Sequence, residues 1–324
     1  MNTVPFGRTG EHVSEMCLGS MMFGDRCDEA ESHRILSAAV EQGASFIDTA
    51  AMYCAGLTEE IVGRWLKGRR RQDVFLATKV HKGIDAPSIL SSIDESLARL
   101  QTDYVDLYLI HWPVEGMRPG EIMEALARVV EQGKARFVGC CNYPAWLLAH
   151  SNAIASEKGW PRLVCNQIPY NLIERGAEVE ILPQAHTEGI AITTYRPLVL
   201  GLFTGKYRPG QPFPARSRAD DDPRIEQWLN RFADAFTQFF AFAEARQIHP
   251  AQLAVAWLRG VRAVTCPIVG VSSFSQLQTS IDAFDVTLSP DEMSQLAGMF
   301  GAAEVQEIGG GRFPELRRII DLTG

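Results

Sequence analysis

Asp48 closes the apolar run Phe46-Ile47, Lys79 closes VFLATK (74–79) and His111 closes VDLYLIH (105–111). Tyr53 lies a few small residues beyond Asp48, in FIDTAAMYCAG (46–56). Singly, each has an ordinary reading: an acid at a turn, a solvated lysine at a strand end, a histidine satisfied in a core. Three successive runs that end in complementary ionisable groups support a joint, chemical reading. A free phenol titrates near pH ~10, too high for a proton donor tuned to neutral pH. A neighbouring ammonium stabilises the phenolate and lowers that pKa, and a carboxylate can hold the ammonium in place. Asp48, Lys79 and Tyr53 are therefore expected to form a chain that tunes Tyr53 for general acid–base work. His111 is expected to donate to a substrate oxygen and stabilise developing negative charge. A phenol that protonates a carbonyl oxygen needs a hydride partner, which side chains cannot supply, so a nicotinamide cofactor is implied.

These groups meet only if the runs that carry them are neighbouring parallel strands. Strand-like runs occur at 16–19, 46–48, 74–79, 105–111, 135–140, 164–168, 191–195 and 263–268. Helical patterns fill the intervals at 29–42, 58–67, 87–100, 120–132, 144–157, 178–188 and 248–258, with 274–284 after the last strand. Gly43 and Gly133 follow helix ends, and Pro87, Pro144 and Pro250 suit first turns. Eight strands alternating with helices predict an α/β chain closed into a (β/α)8 TIM barrel, with chemistry at the C-terminal strand ends. The first residues read as an N-terminal hairpin around Gly7-Arg8-Thr9-Gly10. An insertion follows the seventh strand, with a Pro/Arg/Asp-rich loop at 206–223 and a helix at 224–246, and a C-terminal tail runs on from Ser289. A doubly wound sheet is the alternative, but no G-x-G-x-x-G follows the first strand, and Gly309-Gly310-Gly311 falls in the tail. Residues 1–324 are expected to form one domain.

The composition is ordinary for a soluble globular protein and argues against several other classes. The chain has 324 residues, 46% hydrophobic and 22% charged, with a formal charge of −8. That balance argues against nucleic-acid binding, and the run Arg69-Arg70-Arg71 reads as a solvated helix end. No segment has the ~20 apolar residues of a membrane span, and MNTVPFGRTG lacks a signal-peptide core, so the cytoplasm is expected. Seven cysteines without a C-x-x-C pair fit free thiols in a reducing compartment. Cys140 and Cys141 read as small buried hydrophobes. A metal-dependent isomerase or hydrolase would need clustered ligands, whereas the strand ends offer one histidine and one carboxylate.

Nearly the whole chain resembles the aldo-keto reductases, in particular the longer bacterial branch related to potassium-channel β-subunits. The matching stretches include LGSMMFG (18–24), FIDTAAMY (46–53), LATKV (76–80), YVDLYLIHWP (104–113), GKARFVGCCNYP (133–144), NQIPYNL (166–172), TYRPLVLGLFTGKY (194–207) and PIVGVSS (267–273). The resemblance implies a catalytic tetrad of Asp48, Tyr53, Lys79 and His111, the residues reached above. It implies an NAD(P)(H) site on the same rim, with Gly19, Met21 and Asp48 near the ring, Asn142 and Gln167 on the carboxamide and Tyr195 stacked on the nicotinamide. Leu198, Gly201 and Lys206 would cover the pyrophosphate; Ile268, Gly270, Ser272, Gln276 and Ser280 would line the adenosine end.

The sequence departs from the family pattern at several of these positions. Cys141 stands where serine is usual, so a looser carboxamide contact is expected. Arg196 replaces a serine and could reach a phosphate or a substrate anion, or merely point to solvent; the first is the expectation. NADP(H) is the family default, but Gln276, Thr279 and Ser280 replace the usual arginine and Glu-Asn pair. Without an arginine fork the 2′-phosphate loses its best partner, which leaves NAD(H) or dual use open. Met22, Phe23, Met52, Tyr53, His111 and Trp112, with parts of the tail around Arg312 and Phe313, would shape the substrate pocket. The expected substrate is a small carbonyl compound or alcohol. A cofactor-binding regulatory subunit with slow turnover is the alternative, against which the full tetrad weighs.

Overall fold

The computed structural model describes residues 1–80, 83–215 and 217–301. The chain opens with the expected antiparallel hairpin, β1 (Thr3–Pro5) and β2 (His12–Ser14). Eight further strands follow: β3 (Cys17–Gly19), β4 (Phe46–Asp48), β5 (Phe75–Lys79), β6 (Val105–Ile110), β7 (Ala135–Cys141), β8 (Leu163–Pro169), β9 (Ala191–Tyr195) and β10 (Cys266–Gly270). They close into a parallel barrel in sequence order, with β10 returning to β3. Helices α1 (Glu29–Glu41), α2 (Leu57–Leu66), α3 (Ala86–Leu100), α4 (Pro119–Glu131), α5 (Ala145–Lys158), α6 (Ile181–Glu188) and α9 (Pro250–Gly260) link successive strands. After β9 come α7 (Arg224–Arg231) and α8 (Ala233–Ala245); after β10 come α10 (Phe274–Asp282) and α11 (Pro290–Met299). Among the described residues no helix is long and apolar enough to cross a membrane.

The barrel expectation therefore stands, with three local differences. The last strand begins at Cys266, not at 263. Val264 N donates to Val261 O (2.9 Å), so the apolar Ala263 and Val264 form a turn and only Thr265 starts to bond toward β9. The insertion carries two helices where one was read, because the backbone breaks at Phe232 (φ −113°, ψ 27°). Pro144 is the residue capping α5, one position outside its first turn. Arg312 and Phe313, like the glycine run, lie outside the described residues.

Two apolar layers hold the barrel. Outside it, the helices pack on residues such as Leu18, Ile47, Leu76, Tyr108 and Ile110. Inside, the hairpin plugs the N-terminal mouth: Phe6 meets Phe46 and Phe75 with ring centroids 6.0 and 5.1 Å away. Above that plug sit Cys17, Ala77, Leu109, Cys141, Cys165 and Cys266. All seven cysteines are free thiols, and the four inside the barrel are fully or almost fully buried. Burial pushes these four thiols up, which suits their use as small hydrophobes in a narrow space.

Close helix packing fixes the rim on the side that carries Tyr53. Gly63 of α2 lies against the end of α3; a Cβ there would run into the Arg99 carbonyl and sit 2.7 Å from the carbonyl carbon of Leu100. Helix propensity alone favours Gly63→Ala by about 1 kcal/mol. Overpacking against backbone works the other way, by about 1–3 kcal/mol. We expect Gly63→Ala to lower the midpoint of urea unfolding without changing its slope; an unchanged or higher midpoint would show that α2 and α3 can separate freely.

Candidate active site

Strand register brings the first two groups together. Asp48 of β4 pairs with Ala77 of β5, so Lys79 stands one pleat further along the same inward face. Both side chains are buried, and Lys79 Nζ donates to Asp48 Oδ2 at 2.6 Å. The same ammonium donates to the Thr49 carbonyl (2.8 Å) and to the Tyr53 hydroxyl (3.1 Å). Asp48 Oδ1 accepts from Gln167 Nε2 at 2.8 Å, so both carboxylate oxygens are engaged. A buried ion pair adds little net stability, but deleting one partner costs about 3–5 kcal/mol because the other charge is left bare.

The electrostatics differ from the sequence expectation in one direction. Burial disfavours the Lys79 ammonium, yet Asp48, then Tyr53, outweigh it and hold the pKa above the ordinary lysine range. Lys79 is thus a fixed cation. For Tyr53 burial is the largest influence and pushes the phenol up to about 12; Lys79 pulls it down and Asp48 pushes it up again. The expected lowering is overturned because desolvation of the phenolate outweighs the ammonium. Tyr53 stays protonated through neutral pH.

Tyr53 is placed by a strained turn. Tyr53 N donates to Ala50 O (3.0 Å), and the next residues take positive φ: Cys54 at 46°, Ala55 at 54° and Gly56 at 100°. Non-glycine residues in this region cost on the order of 1–3 kcal/mol each and persist where the surroundings over-determine them. Here α2 begins immediately afterwards at Leu57, with Gly56 as its cap. His111, just past β6, faces the Tyr53 ring edge-on at 6.1 Å and stacks on Trp112 at 6.1 Å.

Around this group the rim presents amides and a ring. Asn142, in the left-handed region (φ 61°), donates through Nδ2 to the His111 carbonyl (3.3 Å) and accepts from Tyr195 Oη (2.8 Å). Its amide and that of Gln167 each retain capacity for a second hydrogen bond. Gly19 and Gly270 are paired across β3 and β10, so neither adds a side chain to this strip of rim, and a Cβ on Gly19 would come 2.9 Å from the Ile268 side chain. The buried hydroxyls Thr49 Oγ1 and Thr194 Oγ1 have no hydrogen-bond partner. A flat aromatic ring carrying an amide fits such a surface: Tyr195 to stack on, two side-chain amides, and a glycine strip for close approach.

Other expected site residues are placed less directly. Met21 and Met52 are exposed and Met22 is half-buried, at the mouth. Phe23 is fully buried among helix-side residues, with its carbonyl bonded by Thr58 Oγ1; it supports the loop and does not line a pocket wall. Cys141 points into the barrel interior beside Tyr195. Ser280 is buried and donates to Gln276 O. Gln276 Oε1 accepts from Ser272 N (2.9 Å) and Ser272 Oγ (3.2 Å). Leu198 and Gly201 lie on a kinked turn, and Lys206 folds over Gly201. Arg196 Nη2 pairs with Glu174 Oε1 at 2.7 Å. Sequence reasoning passed over Glu174 and Glu31, whose Oε1 accepts from Phe274 N at 2.7 Å. Neither carries a local signal, since each meets its partner only through the fold. Among the described residues, no three His, Cys, Asp or Glu side chains gather as a metal site.

Comparison with known proteins agrees with this geometry. Residues 15–299 match the model of the Aldo/keto reductase family. An uncharacterized oxidoreductase of Bacillus subtilis, YrpG, is 34% identical over 91% of this chain and 94% of its own length. A probable voltage-gated potassium channel subunit beta of rice is 30% identical over 90% of this chain and 94% of its own. The crystal structure of a thermostable aldo-keto reductase, Tm1743, in complex with the inhibitor epalrestat superposes with a TM-score of 0.75 at 29% identity. That match covers 92% of this chain and all of the other.

The direction found for Tyr53 can be read spectroscopically. In a difference titration of wild type against Tyr53→Phe, we expect no tyrosinate absorbance from Tyr53 at pH ~10, where an ordinary phenol is half ionised. Appearance of that band at or below pH ~10 would show that Lys79 outweighs burial.

Proposed function

The chain belongs to the aldo/keto reductase family of oxidoreductases, and on that premise we propose that it interconverts a carbonyl (aldehyde, ketone or sugar) and an alcohol with a nicotinamide dinucleotide. The observation that carries this reading is the buried Asp48–Lys79–Tyr53 chain, with the phenol 3.1 Å from a fixed ammonium. When bound, the dinucleotide supplies the hydride. Tyr53 gives its proton to the carbonyl oxygen, and the phenolate left behind is stabilised by Lys79, which Asp48 holds in place. His111, across the Tyr53 edge, orients the carbonyl and donates to its oxygen. A phenol pushed up to about 12 is protonated at neutral pH, the state in which it can donate to a carbonyl oxygen. Asn142, Gln167 and Tyr195 would hold the ring, and Cys141, buried beneath it, would add only a weak contact. The complete tetrad supports turnover over a purely regulatory role, for which the likeness to a potassium channel subunit beta is the counter-observation. We take residues 1–324 as one domain acting in the cytoplasm on small carbonyl or alcohol substrates.

The choice between NADP(H) and NAD(H) turns on the start of α10. NADP(H) is the family default, but Phe274 N–H is occupied by the Glu31 carboxylate. The nearby Arg34, stacked 4.4 Å over the Phe274 ring, is itself paired with Glu31 at 3.5 Å. A 2′-phosphate arriving there would have to share the exposed Arg34 with the Glu31 carboxylate, which supports NAD(H) or dual use.

Two experiments check these readings. Tyr53→Phe should lower carbonyl reduction by about 10²–10⁴-fold while leaving cofactor affinity nearly intact; unchanged turnover sinks the mechanism. Fluorescence titration should show NADH binding at least as tightly as NADPH; a strong NADPH preference would mean that another cation serves the 2′-phosphate.

A further inference from the structure

The segment after β9 holds an unusual backbone. Arg196, Val199 and Leu200 sit at φ 59°, 44° and 59°, followed by Gly201 at 96°. Three non-glycine residues in the left-handed region, one of them β-branched, do not persist without outside support. The support comes from the loop after β8. Asn171, almost fully buried, accepts from Ile173 N (3.0 Å) and Glu174 N (2.9 Å), turning that loop inward. Its Nδ2 donates to Glu174 Oε2 (2.8 Å) and to the Arg196 carbonyl (3.3 Å). Glu174, 5% exposed, uses its other oxygen to bind Arg196 Nη2. The guanidinium in turn lies 5.2 Å from the Tyr195 ring centroid. Arg196 Nε, however, is buried and has no hydrogen-bond partner. A buried N–H left unsatisfied is costly, so a donor is held in reserve beside a turn that is shaped in advance.

We infer that Glu174 is a positioning residue for the dinucleotide. It clamps Arg196 and, with Asn171, fixes turn 196–201 in its observed shape before the ligand arrives, holding the partly exposed Arg196 guanidinium ready to bond a phosphate oxygen. This rests on the cofactor reading proposed above. Preorganisation of this kind acts on affinity and residence time more than on the chemical step.

Glu174→Gln keeps the shape and one acceptor but removes the charge. Cofactor dissociation is followed by stopped-flow fluorescence, with KM for cofactor and kcat measured separately. We expect Glu174→Gln to raise the cofactor dissociation rate and KM about tenfold, with kcat at saturation changed by less than about threefold. Arg196→Lys, which keeps a cation but deletes the guanidinium, should weaken binding to a similar extent. The double variant Glu174→Gln/Arg196→Lys should bind no worse than Arg196→Lys alone. If Glu174→Gln only lowers thermal stability and binds cofactor like wild type, or if the two effects add, the inference fails. Should Glu174→Gln not fold, unchanged affinity in Arg196→Lys overturns it equally. Wild type that binds neither NADH nor NADPH would instead sink the cofactor reading itself.

Discussion

A lysine ammonium buried inside a barrel is the constraint on which the rest of this site depends. In a low-dielectric interior such a charge cannot stand without a counter-charge and a full set of acceptors. Asp48, the Thr49 carbonyl and the Tyr53 hydroxyl meet that demand at 2.6, 2.8 and 3.1 Å. Gln167 then occupies the second oxygen of Asp48. Four elements are tied together this way: the ends of β4, β5 and β8, and the turn that carries Tyr53. The phenol is therefore held beside its ammonium, and that proximity is what makes it useful.

Strain is concentrated where the rigid strands hand over to the rim. The turn from Cys54 to Gly56 and the turn from Arg196 to Gly201 both run through the left-handed region. Each is braced by a more regular neighbour, α2 in the first case and the Asn171–Glu174 loop in the second. One places the proton donor and the other would close over the cofactor. Between them and the Phe6–Phe46–Phe75 plug the barrel interior holds Ala77 and four cysteines beside Leu109, small side chains that leave room at the top for the polar layer.

Much of this was legible in the sequence, because strand periodicity and strand ends are local properties. Asp48, Lys79 and His111 each terminate or just follow a short apolar run, and eight such runs alternating with helices define the barrel. The turn beneath Tyr53 was not legible, since neither Cys54 nor Ala55 advertises positive φ. The direction of the Tyr53 pKa was misread because it is a contest between burial and Lys79, and only the depth of the hydroxyl decides it. The resemblance implies a pocket role for Phe23, but packing puts its side chain in the core. The last strand was set too early because Ala263 and Val264 are apolar in a turn. Glu174 and Glu31 could not be found at all: their partners, Arg196 and Phe274, are distant in sequence.

The central claim is that Lys79 makes Tyr53 an effective proton donor. The most direct measurement is a single turnover of Lys79→Met, with reduced cofactor already bound and a reactive aldehyde added, followed by cofactor fluorescence. The account predicts a hydride-transfer rate about 10²–10⁴-fold below wild type, with cofactor affinity essentially preserved. A rate within about threefold of wild type in a variant that binds cofactor normally would contradict it.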